Sequence, residues 1–131
     1  MEELLVNIIT PYGEIFSGEV RSITLPGSEG EFGVLRGHSH MLSLLKTGVI
    51  EIERMNKTKD LVAINWGYAE VKETKVNILA DGAVAIGGKD ENEISNAISS
   101  AKKLLEEATS DKVAISNVVS RIENSARGKI Q

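Results

Sequence analysis

Hydrophobic and polar positions change period once along this chain. Up to about residue 87 the apolar residues fall in short runs rich in Val and Ile: LLVNII (4–9), EIFSG (14–18), VRSITLP (20–26), FGVL (32–35), GVIEIE (48–53), LVAINW (61–66), YAEVK (68–72), KVNIL (75–79) and AVAI (83–86). Turn-forming clusters separate them, at Pro11-Tyr12-Gly13, Asn56-Lys57, Glu73-Thr74 and Asp81-Gly82. VIEIER and YAEVK alternate apolar with polar side chains, which predicts strands buried on one face. Many short strands with no helical period between them predict an antiparallel sandwich or barrel.

Beyond residue 90 the period lengthens. Ile94, Ala97, Ile98, Ala101, Leu104, Leu105 and Ala108 recur at the spacing of one helix face. Asp90 is placed to cap this helix, with Glu93 completing a capping box. Thr109-Ser110-Asp111 breaks the stripe, and Ser110 or Asp111 can cap a second helix carrying Ile115, Val118, Val119, Ile122 and Ala126. The link is too short for anything but a hairpin or an end-to-end extension. Gly87 and Gly88 are the expected hinge, dividing a strand domain (1–87) from a helical one (88–131). Both stripes are diluted with Ala and Ser, while ordering each residue costs about 1.5 kcal/mol. The hairpin must therefore lean on the strand domain or a partner, and docked and extended arrangements of similar free energy are expected.

Charge sharpens this division. The chain carries a net charge of −4, yet its last stretch holds Lys112, Arg121, Arg127 and Lys129 against Glu123. An acidic body argues against a nucleic-acid binder, and the basic tail on it fits either an acidic partner surface or a solvated helix face with incidental lysines. With no cysteine, disulfide frameworks, thiolate metal sites and cysteine nucleophiles are excluded together. No apolar run is long enough to span a bilayer. The opening MEELLVNII lacks a basic region ahead of its apolar residues, so no signal peptide is expected.

The densest stretch for chemistry is LPGSEGEFGVLRGHSH (25–40), with Gly27, Gly30, Gly33 and Gly37, both histidines, Glu29 and Glu31. His38 and His40 could share a strand face, but a metal site needs a third ligand that neither another histidine nor any cysteine supplies. The glycines read G-x-x-G-x-x-G and open no helix, so they are not a dinucleotide fingerprint. AVAIGGKD (83–90) lacks the first glycine and the Ser or Thr of a phosphate loop. Ser39 beside a histidine would point to the opposite strand face. Trp66 and Tyr68 read as core or sheet-face residues. Nothing here predicts an enzyme, a metal or a cofactor.

The same stretch, as LPGSEGEFGVLRGHSHML (25–42), resembles the epsilon subunit family of F-type ATP synthases, the counterpart of the mitochondrial delta subunit. That family shows LPG-x-x-G-x-F-G-V-L-P-G-H-x-P-L. ITPYGEIFSGEVRSITLPG (9–27) is similar to its opening, LLKTGVIEI (44–52) to its L-K-x-G-x-V-x-I step, and WGYAEVKETKVNILAD (66–81) to its G-G-x-A-E-V-x-x-x-x-V-x-I-L-A-D. Arg36 and His40 stand where the family has proline, loosening that loop, and Trp66 replaces a glycine.

The resemblance implies a mainly β fold with a small α part: a ten-stranded antiparallel β-sandwich followed by a C-terminal two-helix hairpin. It implies a non-catalytic subunit of the rotary central stalk, peripheral on the cytoplasmic face of the bacterial inner membrane. Its partners would be gamma, the ring of c subunits and, through extended helices that inhibit ATP hydrolysis, the beta and alpha subunits. Membrane contact would come only through the complex. Glu29, Glu31, His38 and Met41 would face the c ring and gamma, with Glu31 toward basic loops of the ring and His38 near gamma. Arg121, Arg127 and Lys129 would serve the inhibitory tail. The ATP-binding motif of some relatives, I/L-D-x-x-R-A, is not met: Ser95 follows Ile94 in NEISNAISSA (92–101), and no arginine lies between 90 and 120. No nucleotide is therefore expected there. A free-standing β-sandwich binding module is the alternative.

Overall fold

A computed structural model of the chain describes residues 3–86 and 91–128, with side chains undescribed at 91, 114 and 125–128. The strands are β1 (Leu4–Thr10), β2 (Gly13–Val20), β3 (Ser22–Gly27), β4 (Gly30–Leu35), β5 (Met41–Leu45), β6 (Gly48–Glu53), β7 (Lys59–Ile64), β8 (Gly67–Val71), β9 (Lys75–Ala80) and β10 (Ala83–Ile86). Two helices follow, α1 (Glu91–Ala108) and α2 (Lys112–Gly128). Ten strands and two helices are the fold class expected from the sequence. The expected hinge Gly87 and Gly88, the capping Asp90 and the tail's Lys129 lie outside the described residues.

The sheet folds on itself at β3. One side of β3 pairs with β4 throughout; the other pairs with β6 over Ser22–Thr24 and with β5 only where Gly27 meets Leu45. There the strands part into two layers, β4-β3-β6-β7-β10 and β5-β8-β9-β1-β2. The fold is antiparallel except that β1 runs parallel to β9, Leu5 beside Lys75 through Ile9 beside Leu79. Leu4, Val6, Ile8, Ile23, Leu25, Ile50, Ile52, Ile64 and Ile78 are wholly buried between the layers. This is the inward half of each strand's alternation.

Gly27 shows why that corner takes glycine: a Cβ there would lie 2.6 Å from the Gly30 carbonyl oxygen. Gly37, at φ +94, occupies backbone space that side chains resist.

A second, smaller core lies on the outer face of the first layer. Val49, Leu61, Ala63 and Ile86 from the strands meet Ile94, Ala101 and Ile122 from the helices. β6 and β7 are thus covered on both faces. The alternation in VIEIER predicted one buried face; instead Glu51 and Glu53 look toward the helix side, with side chains 26% and 29% exposed. Asp111 caps α2, accepting the Val113 amide at 3.0 Å. The hairpin is docked against the sandwich, with α1 and α2 in contact along their stripes.

Candidate functional site

The hairpin covers one layer's outer face, and the other layer's is open. Register sets Leu44 opposite Tyr68, Tyr68 opposite Leu79 and Leu79 beside Ile9. An apolar row therefore crosses β5, β8, β9 and β1, its members 66%, 40%, 40% and 40% exposed. Leu45, Ala69, Ile78 and Ile8, adjacent along the same strands, point inward and are buried. Single apolar residues are ordinary on a protein surface; a continuous row over neighbouring strands marks a contact surface.

Polar side chains tied to one another flank this row. Ser17 Oγ donates to Asn7 Oδ1 at 2.7 Å, Asn7 Nδ2 to Asn77 Oδ1 at 3.2 Å, and Asn77 Nδ2 to Glu70 Oε1 at 3.3 Å. Apolar stripe and fixed polar border together resemble the core and rim of an interface. Tyr68 is the sheet-face residue the sequence suggested. Trp66 is not part of a strand: β7 stops at Ile64, and the indole sits 55% exposed at the corner leading to β8.

The residues singled out in the glycine stretch separate to two ends of the sandwich. Glu29 lies in the turn between β3 and β4, and Glu31 follows on β4 opposite Pro26. The Pro26 carbonyl also accepts the Lys46 amide at 2.9 Å, bringing the β5–β6 turn alongside. At the far end, Gly37 donates to the Glu73 carbonyl at 2.6 Å, His38 Nδ1 lies 2.8 Å from the Ser39 carbonyl oxygen, and Met41 starts β5 opposite Val71. Residues 38–40 are not a strand, so the two imidazoles do not share a strand face. Among the described residues no three His, Asp or Glu side chains are grouped to hold a metal.

Glu31 carries an unexpected neighbour. Arg121 of α2 donates from Nη1 to Glu31 Oε2 at 2.7 Å, and its Nη2 lies 3.6 Å from Glu51 Oε2. A carboxylate expected to face outward thus meets a cation of the chain's own tail. The 90 positions between them in sequence hid the pairing. The side chain of Arg127 lies outside the described residues, as does Lys129.

The family described as ATP synthase, Delta/Epsilon chain, beta-sandwich domain matches residues 3–86. An ATP synthase epsilon chain of Wolinella succinogenes is 58% identical over 130 residues, 99% of each chain. One of Helicobacter hepaticus is 56% identical over the whole of both, and one of Helicobacter pylori is 56% identical over 124 residues, 95% of this chain and 99% of its own. The fold is also that of a chain in the Euglena gracilis mitochondrial ATP synthase, at TM-score 0.62 and 23% identity, covering 98% of this chain and 82% of that one. A chain of the Tetrahymena thermophila central stalk and c-ring structure gives 0.52 and 16%, covering 81% and 96%. The β-sandwich matched over residues 3–86 and the 56–58% identity over nearly the whole chain agree: the chain belongs to the delta/epsilon-chain family of ATP synthases.

Proposed function

We propose that this chain is a non-catalytic subunit of the central stalk, joining the ring of c subunits to gamma, and that its helices restrain ATP hydrolysis when they leave the sandwich. The observation that carries the reading is the continuous apolar row of Leu44, Tyr68, Leu79 and Ile9 across four neighbouring strands. Gamma is assigned to this face, because a torque-bearing contact needs a rigid, desolvated surface and a β-sheet buried on its other side supplies one. The end holding Glu29 and Glu31 is assigned to basic loops of the ring; His38 and Met41 lie at the opposite end, on the gamma side. The neighbours from Euglena and Tetrahymena belong to ATP synthase assemblies that include a c-ring, which supports the rotor reading. Among the described residues no helix is long and apolar enough to cross a membrane. In this reading the chain is held at the cytoplasmic face of the bacterial inner membrane by its partners alone. ATP hydrolysis belongs to the alpha and beta subunits, which the extended basic tail reaches, and no nucleotide is assigned to this chain.

Leu44→Glu puts a charge into the row without touching the core. The tagged variant is expected to keep its thermal stability within about 0.5 kcal/mol and to lose gamma on affinity purification from native membranes. Retention of gamma refutes the assignment of this face. A wild-type chain that purifies without gamma and c subunits points instead to a free-standing binding module.

A further inference from the structure

Arg121 sits where the hairpin's apolar contact ends. Its neighbour Ile122 is wholly buried in the second core, while the Arg121 side chain is 38% exposed at the rim. The guanidinium reaches Glu31 on β4 at 2.7 Å and Glu51 on β6 at 3.6 Å, strands on either side of β3. Glu51 also has Lys59 Nζ 3.7 Å from its other oxygen, so this carboxylate is shared and Glu31 is the tighter partner. Both acids stand on strands fixed by the main core, and a planar fork loses little freedom in bridging them. A surface ion pair in isolation contributes little. This one differs in its partners: two rigid anions in the sandwich and one cation on a hairpin held by a small core of its own.

We propose that Arg121, Glu31 and Glu51 form a charge latch that holds α2 in the docked arrangement, so that its strength sets how often the hairpin opens. The regulatory consequence rests on the rotor reading above; the latch does not.

Hydrogen exchange in the isolated full-length chain tests the latch. Glu31→Gln and Arg121→Gln are each expected to speed exchange across α2 by about two- to fivefold, as loss of a surface ion pair allows, with β1, β8 and β9 unchanged. Glu51→Gln is expected to act in the same direction but less. The double variant Glu31→Gln/Arg121→Gln should open α2 no further than the stronger single one, and the exchanged pair Glu31→Arg/Arg121→Glu, made together with Glu51→Gln so that the new carboxylate faces no second one, should recover protection relative to Glu51→Gln/Arg121→Glu. Wild-type α2 should loosen at about 1 M salt, where the screening length falls to about 3 Å, while the double variant does not respond. Unchanged exchange in the single variants, or additive effects in the double, overturns the latch.

In the assembled enzyme Glu51→Gln is the informative variant, because it weakens the latch and leaves both Arg121 and the carboxylate assigned to the ring in place. Lower ATP hydrolysis than wild type is the expected result. Loosened α2 in the isolated chain with unchanged hydrolysis overturns the brake reading and leaves the latch standing.

Discussion

Replacing Ile122 with Ala would separate the two cores. Ile122 is wholly buried, and its neighbours are the thin second cluster of Val49, Leu61, Ala63, Ile86, Ile94 and Ala101, not the core between the layers. A buried Ile→Ala change costs about 2–5 kcal/mol. Here the lower part of that range applies, because α2 lies on the outside of the sandwich and can settle toward the gap. Taking about 3 kcal/mol, and 1.4 kcal/mol per tenfold, α2 amides should exchange about a hundredfold faster. Strands β1, β8 and β9, which make no contribution to the second cluster, should change by less than about threefold, within the usual effect of a remote substitution. Mass-resolved exchange on the full-length chain reads both regions in one experiment, and Ile78→Ala is the control. Ile78 belongs to the main core, so its truncation should lower protection in both layers. Equal acceleration of strands and helix in Ile122→Ala would refute the reasoning, since sandwich and hairpin would then unfold as one unit.

Two further substitutions probe the corners that hold the open face in shape. Asn65 Oδ1 accepts the amides of Trp66 at 2.7 Å and Gly82 at 2.8 Å, pinning the β7–β8 corner to the β9–β10 turn. Asn65→Ala should cost about 1–3 kcal/mol, read as a lowered denaturation midpoint with unchanged slope; a stability equal to wild type would show that water replaces the amide oxygen without penalty. At Gly67 a Cβ would fall 2.2 Å from the Leu79 carbonyl oxygen. Gly67→Ala must therefore push β8 and β9 apart and cost at least about 1–3 kcal/mol, whereas Gly33→Ala, with nothing within 4 Å of the added carbon, is the near-neutral comparison. Equal stability of the two variants would contradict the close packing of that strand pair.

Local chemistry was legible in the sequence wherever it was dictated by neighbours along the chain. The change of period near residue 90, the corners at Pro11 and Asp81 and the Asp111 cap all follow from a few adjacent residues. β5 did not emerge from the pattern, because MLSLL has no β-branched residue and no alternation. Its pairing with β8, and with β3 at Leu45, makes it a strand. The open face was equally hidden. Leu44, Tyr68, Leu79 and Ile9 each read as the ordinary outward residue of a strand, and the parallel pairing of β1 with β9 joins residues some 70 positions apart. Glu31 was singled out by family resemblance and Arg121 by charge, but neither signal says that they meet. Such a contact depends on how the hairpin lies, and two amphipathic stripes do not specify a direction across a sheet.

The double coverage of β6 and β7 constrains when the helices can leave. Val49, Leu61, Ala63 and Ile86 are 0–4% exposed only because the hairpin lies over them, and undocking hands all of them to water at once. A solitary chain has nothing to put in the helices' place, which tilts the balance between the two expected arrangements toward the docked one. In the proposed assembly the released stripes meet other apolar surfaces, which offset the loss. In the reading proposed above, the patch that holds the hairpin down is therefore also an interlock, which keeps the tail from extending before there is a motor to act upon.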